Sequence, residues 1–212
     1  MRTRGLDQAL PPHSLASGPA LGSEPVRGFE PGDFLLSRAH GRKHEVIKWG
    51  QGLRLPPHDR HYAGYTHAAL VVSPTGDLIE AIGEGVRSTS LRQYVIDKEI
   101  YQVVRIEAAA EARERVVEFA SYALHAKSPY DGLAIACTTF WAFTGSRLMF
   151  FMDGSFTCSG LVAAALERMG ARFGMNAARV TPAQLAVFFG APPPPADPPR
   201  LSPKSPGPRR RR

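Results

Sequence analysis

The chain has 212 residues, 43% of them hydrophobic and 21% charged, with two cysteines and a formal net charge of +7. This composition suits an ordinary globular chain with one core, and two cysteines are too few for a disulfide framework. The charge belongs to the ends: six basic residues stand against one acid from Ala191 onward, three arginines against Asp7 and Glu24 in residues 1–28, and only +1 is left for the remainder. A high pI of that origin does not mark a basic binding face, so no specific nucleic-acid partner is expected, although the arginine run Arg209 to Arg212 can contact polyanions.

Residues 1–28 lack hydrophobic periodicity and carry Pro11, Pro12, Pro19 and Pro25, which predicts a disordered tail. Their basic residues precede no apolar stretch, so they do not read as a signal peptide, and a cytoplasmic protein is expected. Asp33 to Ser37 reads as a strand, and residues near Glu45 to Leu53 as a short helix carrying Trp49 and Gln51. Both side chains are candidates to line a cleft, with a core or groove aromatic as the plainer reading of Trp49. Thr66 to Val72 and Leu78 to Ile82 are β-branched and apolar runs separated by Ser73-Pro74-Thr75-Gly76-Asp77, which reads as a hairpin. Val86 to Leu91 and Ile100 to Ile106 complete an antiparallel sheet.

Beyond the sheet, Glu111 to Ala126 places Val116, Val117, Phe119, Ala120 and Ala123 at helical spacing. The apolar stretch Leu133 to Met152 is interrupted by Thr138, Thr139, Thr144, Gly145, Ser146 and Arg147, and falls short of a membrane-spanning helix. Leu161, Val162, Ala165, Leu166 and Met169 again recur at the helical period, and Gly170 ends that segment. Thr181-Pro182 starts a last helix that runs to about Phe189. Residues 191–212 contain nine prolines and should be disordered. The expected organisation is one α+β domain over residues 29–190 between two tails. Repeats, phosphate loops and metal-ligand spacings are absent from the sequence, so neither a cofactor nor a metal is expected.

Chemistry concentrates at three residues. Cys158 stands where Thr157 can cap the start of a helix, and the unpaired N–H groups and dipole of a first turn favour a thiolate. On position alone it reads as a small buried apolar residue. A nucleophilic thiolate needs a base and the base an orienting group, and His67 and Glu80 on the hairpin can supply them. Their plainer readings are a satisfied core histidine and a solvent-facing strand residue. Hairpin arithmetic leaves the pairing open: a four-residue loop from Pro74 to Asp77 puts His67 and Glu80 on one face, and a three-residue loop with Gly76 as a bulge puts them on opposite faces.

Thr157-Cys158-Ser159-Gly160-Leu161-Val162 resembles the cysteine motif of NlpC/P60 papain-like hydrolases. Thr66-His67 followed by Val71-Val72, and Leu78-Ile79-Glu80-Ala81, resemble their histidine and third-residue strands. The order is reversed relative to the common members, with His67 and Glu80 before Cys158, and so is similar to the circularly permuted branch. Gly32-Asp33-Phe34-Leu35-Leu36 is similar to the opening strand of that branch, and Ser128-Pro129-Tyr130-Asp131-Gly132 to its tyrosine segment. Ile135 to Gly154 is a long insertion between that tyrosine segment and the cysteine. The likeness spans about residues 29 to 190.

The resemblance implies a papain-like antiparallel sheet packed against a nucleophile-bearing helix. It also implies a thiol hydrolase that cleaves an amide or ester through a Cys158-His67-Glu80 acyl-enzyme route, with Tyr130 as a substrate contact. Small-molecule, peptide and lipid acyl groups are the substrate classes in view. An acyltransferase using the same intermediate and a non-catalytic binding module are the alternatives.

Overall fold

The computed structural model describes residues 28–38, 41–97, 100–126 and 156–195. They form an α+β fold whose five-stranded antiparallel sheet consists of β1 (Phe34–Arg38), β2 (His67–Val71), β3 (Asp77–Ile82), β4 (Gly85–Ser90) and β5 (Ile100–Val104), in the order β4-β3-β2-β1-β5. The helices are α1 (Arg42–Arg54), α2 (Leu91–Ile96), α3 (Ala110–His125), α4 (Cys158–Glu167) and α5 (Pro182–Phe188), with a 3-10 helix at Pro57–Gly64. Tyr130, Cys137, the insertion Ile135 to Gly154, residues 1–27 and residues 196–212 lie outside the described residues. Among the described residues, no helix is long and apolar enough to cross a membrane.

Strand alternation divides the core in two. Phe34, Leu36, Ala68, Leu70, Ile79 and Ala81 face a cluster that includes Val116 and Ala120 of α3 and Leu161, Val162 and Leu166 of α4. Leu35, Ala69, Val71, Leu78 and Val103 face the other way, where Phe29, Leu91, Tyr94 and Tyr101 cover them. The central strands β1 and β2 are therefore buried along their whole length, which explains their nearly unbroken apolar sequence. α4 is apolar on nearly every side and lies buried between sheet, α3 and the segment before α5.

The hairpin takes the geometry that places His67 and Glu80 on one face. Leu70 pairs with Ile79 and Val71 with Leu78, and the Val72 N–H meets the Asp77 carbonyl at 2.8 Å. The loop thus has four residues, Ser73 to Gly76, one position earlier than the four-residue alternative drawn from the sequence. Gly76 takes φ of 87°, a conformation that favours glycine at this turn.

Three elements differ from the sequence expectation. β4 stops at Ser90, and Leu91–Ile96 turns into the six-residue helix α2, which buries Leu91 and Tyr94 on one side three residues apart. Pro57–Gly64 winds into a 3-10 helix with proline at its start, where a missing N–H costs nothing. The packed chain also continues past the expected boundary at residue 190. Ala191 is buried and donates its N–H to the Ala186 carbonyl, while the Pro192 carbonyl accepts from the Tyr65 hydroxyl at 2.7 Å and the Pro195 carbonyl from Arg38 at 3.1 Å. Prolines lack N–H donors but keep their carbonyls, and those carbonyls hold residues 191–195 on the domain. A chain ended after Gly190 should therefore melt several degrees below one ended after Pro195. Leaving the buried Tyr65 hydroxyl without its acceptor costs about 1–3 kcal/mol, and paired thermal scans of the two truncations measure the difference.

Candidate active site

The sequence Thr157-Cys158-Ser159-Gly160 builds the start of α4 residue by residue. The Thr157 side chain caps the helix by accepting the Gly160 N–H at 3.0 Å. Ser159 donates its hydroxyl to the Val180 carbonyl at 2.7 Å, which ties the first turn to the segment before α5. A Cβ at Gly160 would stand 2.7 Å from the Thr157 hydroxyl and 3.4 Å from the Ala178 Cα, so glycine is what lets cap and neighbouring backbone close over this turn. Cys158 is thereby fixed as the first residue of α4, 6% exposed, and its own N–H has no intrahelical acceptor.

The sheet opens where α4 arrives. The ladder between β2 and β3 holds at Leu70/Ile79 and Val71/Leu78, whereas β1 and β2 pair from Phe34/Leu70 to Ser37/His67. Below the short ladder the backbone N–H groups of Ala68 and Ser159 favour the thiolate form of Cys158. His67, the first residue of β2, stands beside the same thiol, and the thiolate favours its charged form. Its Nε2 lies 2.6 Å from Glu80 Oε2, which leaves Nδ1 as the ring nitrogen that the carboxylate does not engage. Glu80 is 1% exposed and is held from two further sides. Arg87, directly opposite it on β4, places Nε and Nη2 at 2.8 and 2.7 Å from Oε1, and the Tyr94 hydroxyl of α2 donates to Oε2 at 2.5 Å.

Electrostatics follow from that row of contacts. Burial opposes charge on His67, yet the thiolate, the hydrogen bond to Cys158 and Glu80 outweigh it and hold the imidazole pKa up at about 10. Burial likewise opposes the Glu80 carboxylate, and the hydrogen bonds from His67, Tyr94 and Arg87 with the imidazolium charge bring it down to about 2. The Cys158 thiol, raised by burial, ends below its ordinary value because of the His67 charge and hydrogen bond and the two backbone N–H groups. Charge on His67 thus favours the Cys158 thiolate, and the thiolate favours charge on His67.

Cys158, His67 and Glu80 come together, and neither Gln51 nor Trp49 joins them. Gln51 is corrected from a cleft-lining residue to a backbone clamp: its amide nitrogen donates to the Tyr65 and Ala63 carbonyls at 2.9 and 3.4 Å, and its oxygen accepts the Ala183 N–H at 2.9 Å. Buried with these partners, it fixes the segment that leads into His67 and leaves no amide group turned to a substrate. Trp49 is an exposed residue of α1, with 47% of its surface accessible. Tyr130 lies outside the described residues. Sequence reasoning missed Arg87 and Tyr94. The signal for Arg87 was the β3–β4 register, which sets it opposite Glu80, and Tyr94 had no signal in so short a helix. Among the described residues, no cluster of three or more His, Cys, Asp or Glu side chains is arranged to hold a metal ion.

No family model matches the chain, and no curated protein matches it in sequence.

Proposed function

We propose that the chain is a cysteine hydrolase of the permuted NlpC/P60, papain-like kind that cleaves an amide or ester through an acyl-enzyme. The observation that carries this reading is His67, with its Nε2 2.6 Å from a buried carboxylate, standing beside the Cys158 thiol so that each favours the charged form of the other. A histidine in a plain core role does not need a thiol on one side and a carboxylate on the other. A thiol that works as a thiolate also suits a reducing compartment, which supports a cytoplasmic setting.

In the first half-reaction the Cys158 thiolate attacks the substrate carbonyl carbon, a C–S bond forms, and the carbonyl electrons move onto oxygen. The N–H of Cys158, which has no acceptor within its own helix, is the donor assigned to that oxyanion. Collapse of the intermediate breaks the bond to the leaving amine or alcohol, which takes the His67 proton as it departs. His67, now neutral, removes a proton from water, the resulting hydroxide attacks the thioester, and the acid product leaves as Cys158 returns to thiolate and His67 to imidazolium. Glu80 stays ionised throughout and orients the ring.

The reading predicts a bell-shaped pH profile. Activity falls on the acid side as the thiolate is protonated, below the ordinary cysteine range because the Cys158 pKa is depressed. It falls on the alkaline side as His67 loses its proton near about pH 10. The direct test is alkylation with iodoacetamide followed by mass spectrometry at mildly acidic pH, where an ordinary thiol is protonated and slow. Rapid, preferential labelling of Cys158 over Cys137 is expected, and labelling confined to alkaline pH would remove the nucleophile.

A further inference from the structure

The acyl-transfer steps use Glu80 only through His67 and make no use of the two groups behind it. A glutamate has three side-chain torsions, so a buried carboxylate does not by itself present one chosen oxygen to a histidine. Here the two oxygens are divided: Oε1 takes both nitrogens of Arg87, at 2.8 and 2.7 Å, and Oε2 takes Tyr94 and His67, at 2.5 and 2.6 Å. The donors come from separate elements, β4 and α2. The Tyr94 ring also lies nearly parallel to the imidazole, 18° off plane with centroids 6.5 Å apart.

We propose that Arg87 and Tyr94 are positioning residues of this active site, holding Glu80 in the orientation in which one oxygen meets His67 while the other is turned away. The inference rests on the nucleophile–base reading above. Its chemical consequence concerns the proton on His67. With Cys158 as thiolate the charges run in an alternating row, with Arg87 positive, Glu80 negative, His67 positive and Cys158 negative. Arg87 repels the imidazolium and draws charge from the carboxylate, and Tyr94 weakens the same carboxylate as an acceptor by donating to it. Both therefore loosen the hold of Glu80 on the His67 proton, which must leave for the departing amine or alcohol in each cycle. The groups that face His67 are Cys158 of α4, Glu80 of β3 with Arg87 of β4 behind it, Tyr94 of α2, and Ser37 opposite it on β1. Tyr101 of β5 pairs with Ser37 and packs edge-on against Tyr94.

The signs separate positioning from a merely structural role. Glu80→Gln removes the negative partner and should lower the His67 pKa, whereas Arg87→Gln and Tyr94→Phe should each raise it, by about half a unit because Arg87 is partly screened by water. Arg87→Lys keeps the charge and should return the pKa most of the way to the parent value. The experiment is an NMR titration of the His67 ring in the full chain and these variants, with iodoacetamide alkylation rates against pH and thermal scans alongside. Opposite shifts for Glu80→Gln and for the other two, with Arg87→Lys restoring, are the expected result. Unchanged His67 titration in both Arg87→Gln and Tyr94→Phe, with only the melting temperature lowered, would overturn the proposal. A parent chain whose His67 titrates normally and whose Cys158 alkylates only at alkaline pH would instead overturn the nucleophile–base reading itself, and the two failures are thereby distinguishable.

Discussion

Cys158→Ala and His67→Ala should each abolish turnover of any ester or amide that the parent chain hydrolyses, with kcat reduced by on the order of 10⁴-fold to 10⁶-fold. The double variant should be hardly slower than either single one. The reason is that the thiol and the imidazole act as one unit: each favours the charged form of the other, and burial makes either charge costly without its counterpart. Once one is gone the other has no step to perform, so their effects do not add. Neither change should unfold the chain, since Cys158→Ala removes one sulfur and the surrounding first turn of α4 keeps its Thr157 cap and its Ser159 tie to Val180. Single-turnover and steady-state assays with circular dichroism as a fold check measure this. A Cys158→Ala chain that retained parent activity would show that the reaction runs through another group, and a parent chain with no turnover on a broad acyl panel would favour a binding role.

The parts of the site that a sequence can show are residue types at the ends of strongly patterned elements. Cys158 was legible because a capping threonine and a helical apolar period surround it, and His67 and Glu80 because they interrupt apolar runs on two strands joined by turn residues. Whether those two meet depended on one residue of loop length, which Ser, Pro, Thr, Gly and Asp at 73–77 all tolerate. The register resolved it. Arg87 sits among Val86, Ser88 and Thr89 and reads as the wet side of an edge strand, and only the ladder that puts it opposite Glu80 gives it a buried partner. Tyr94 was hidden by a different cause: α2 has six residues, too few for a helical period to emerge. Gln51 shows the converse error. A polar side chain between two glycines on a short helix looked available to a ligand, whereas three backbone groups of the Ala63–Tyr65 segment and α5 consume it. A residue's hydrogen-bond capacity is visible in sequence, but its partners are separated from it by 12, 14 and 132 positions.

The largest loss of stability is expected not at the thiol but at Asp33, 1% exposed at the head of β1. One of its oxygens accepts the Glu30 N–H at 3.1 Å, and the other accepts the Ile106 N–H at 3.1 Å and the Arg113 guanidinium at 3.0 Å. Arg113 rises from α3 and also donates to the Pro31 and Ile106 carbonyls and pairs with Glu30 at 2.8 Å, so one carboxylate ties the turn before β1, the chain after β5 and α3 together. Asp33→Ala leaves a largely buried guanidinium short of its counter-charge and strands a backbone N–H at each of two segments. Breaking a buried pair from one side costs about 3–5 kcal/mol, and for a domain of this size each kcal/mol lowers the melting temperature by about 2–4 °C, so a drop on the order of 10 °C is expected. Asp33→Asn should be milder but still costly, because its NH2 group faces donors where a second acceptor is needed. The double variant Asp33→Ala with Arg113→Met should recover part of the loss, since it removes the stranded charge as well as the carboxylate. A drop of only a degree or two for Asp33→Ala would mean that water reaches Arg113 once the carboxylate is gone, and that this anchor contributes little to holding β1 in the place where it pairs with the strand of His67.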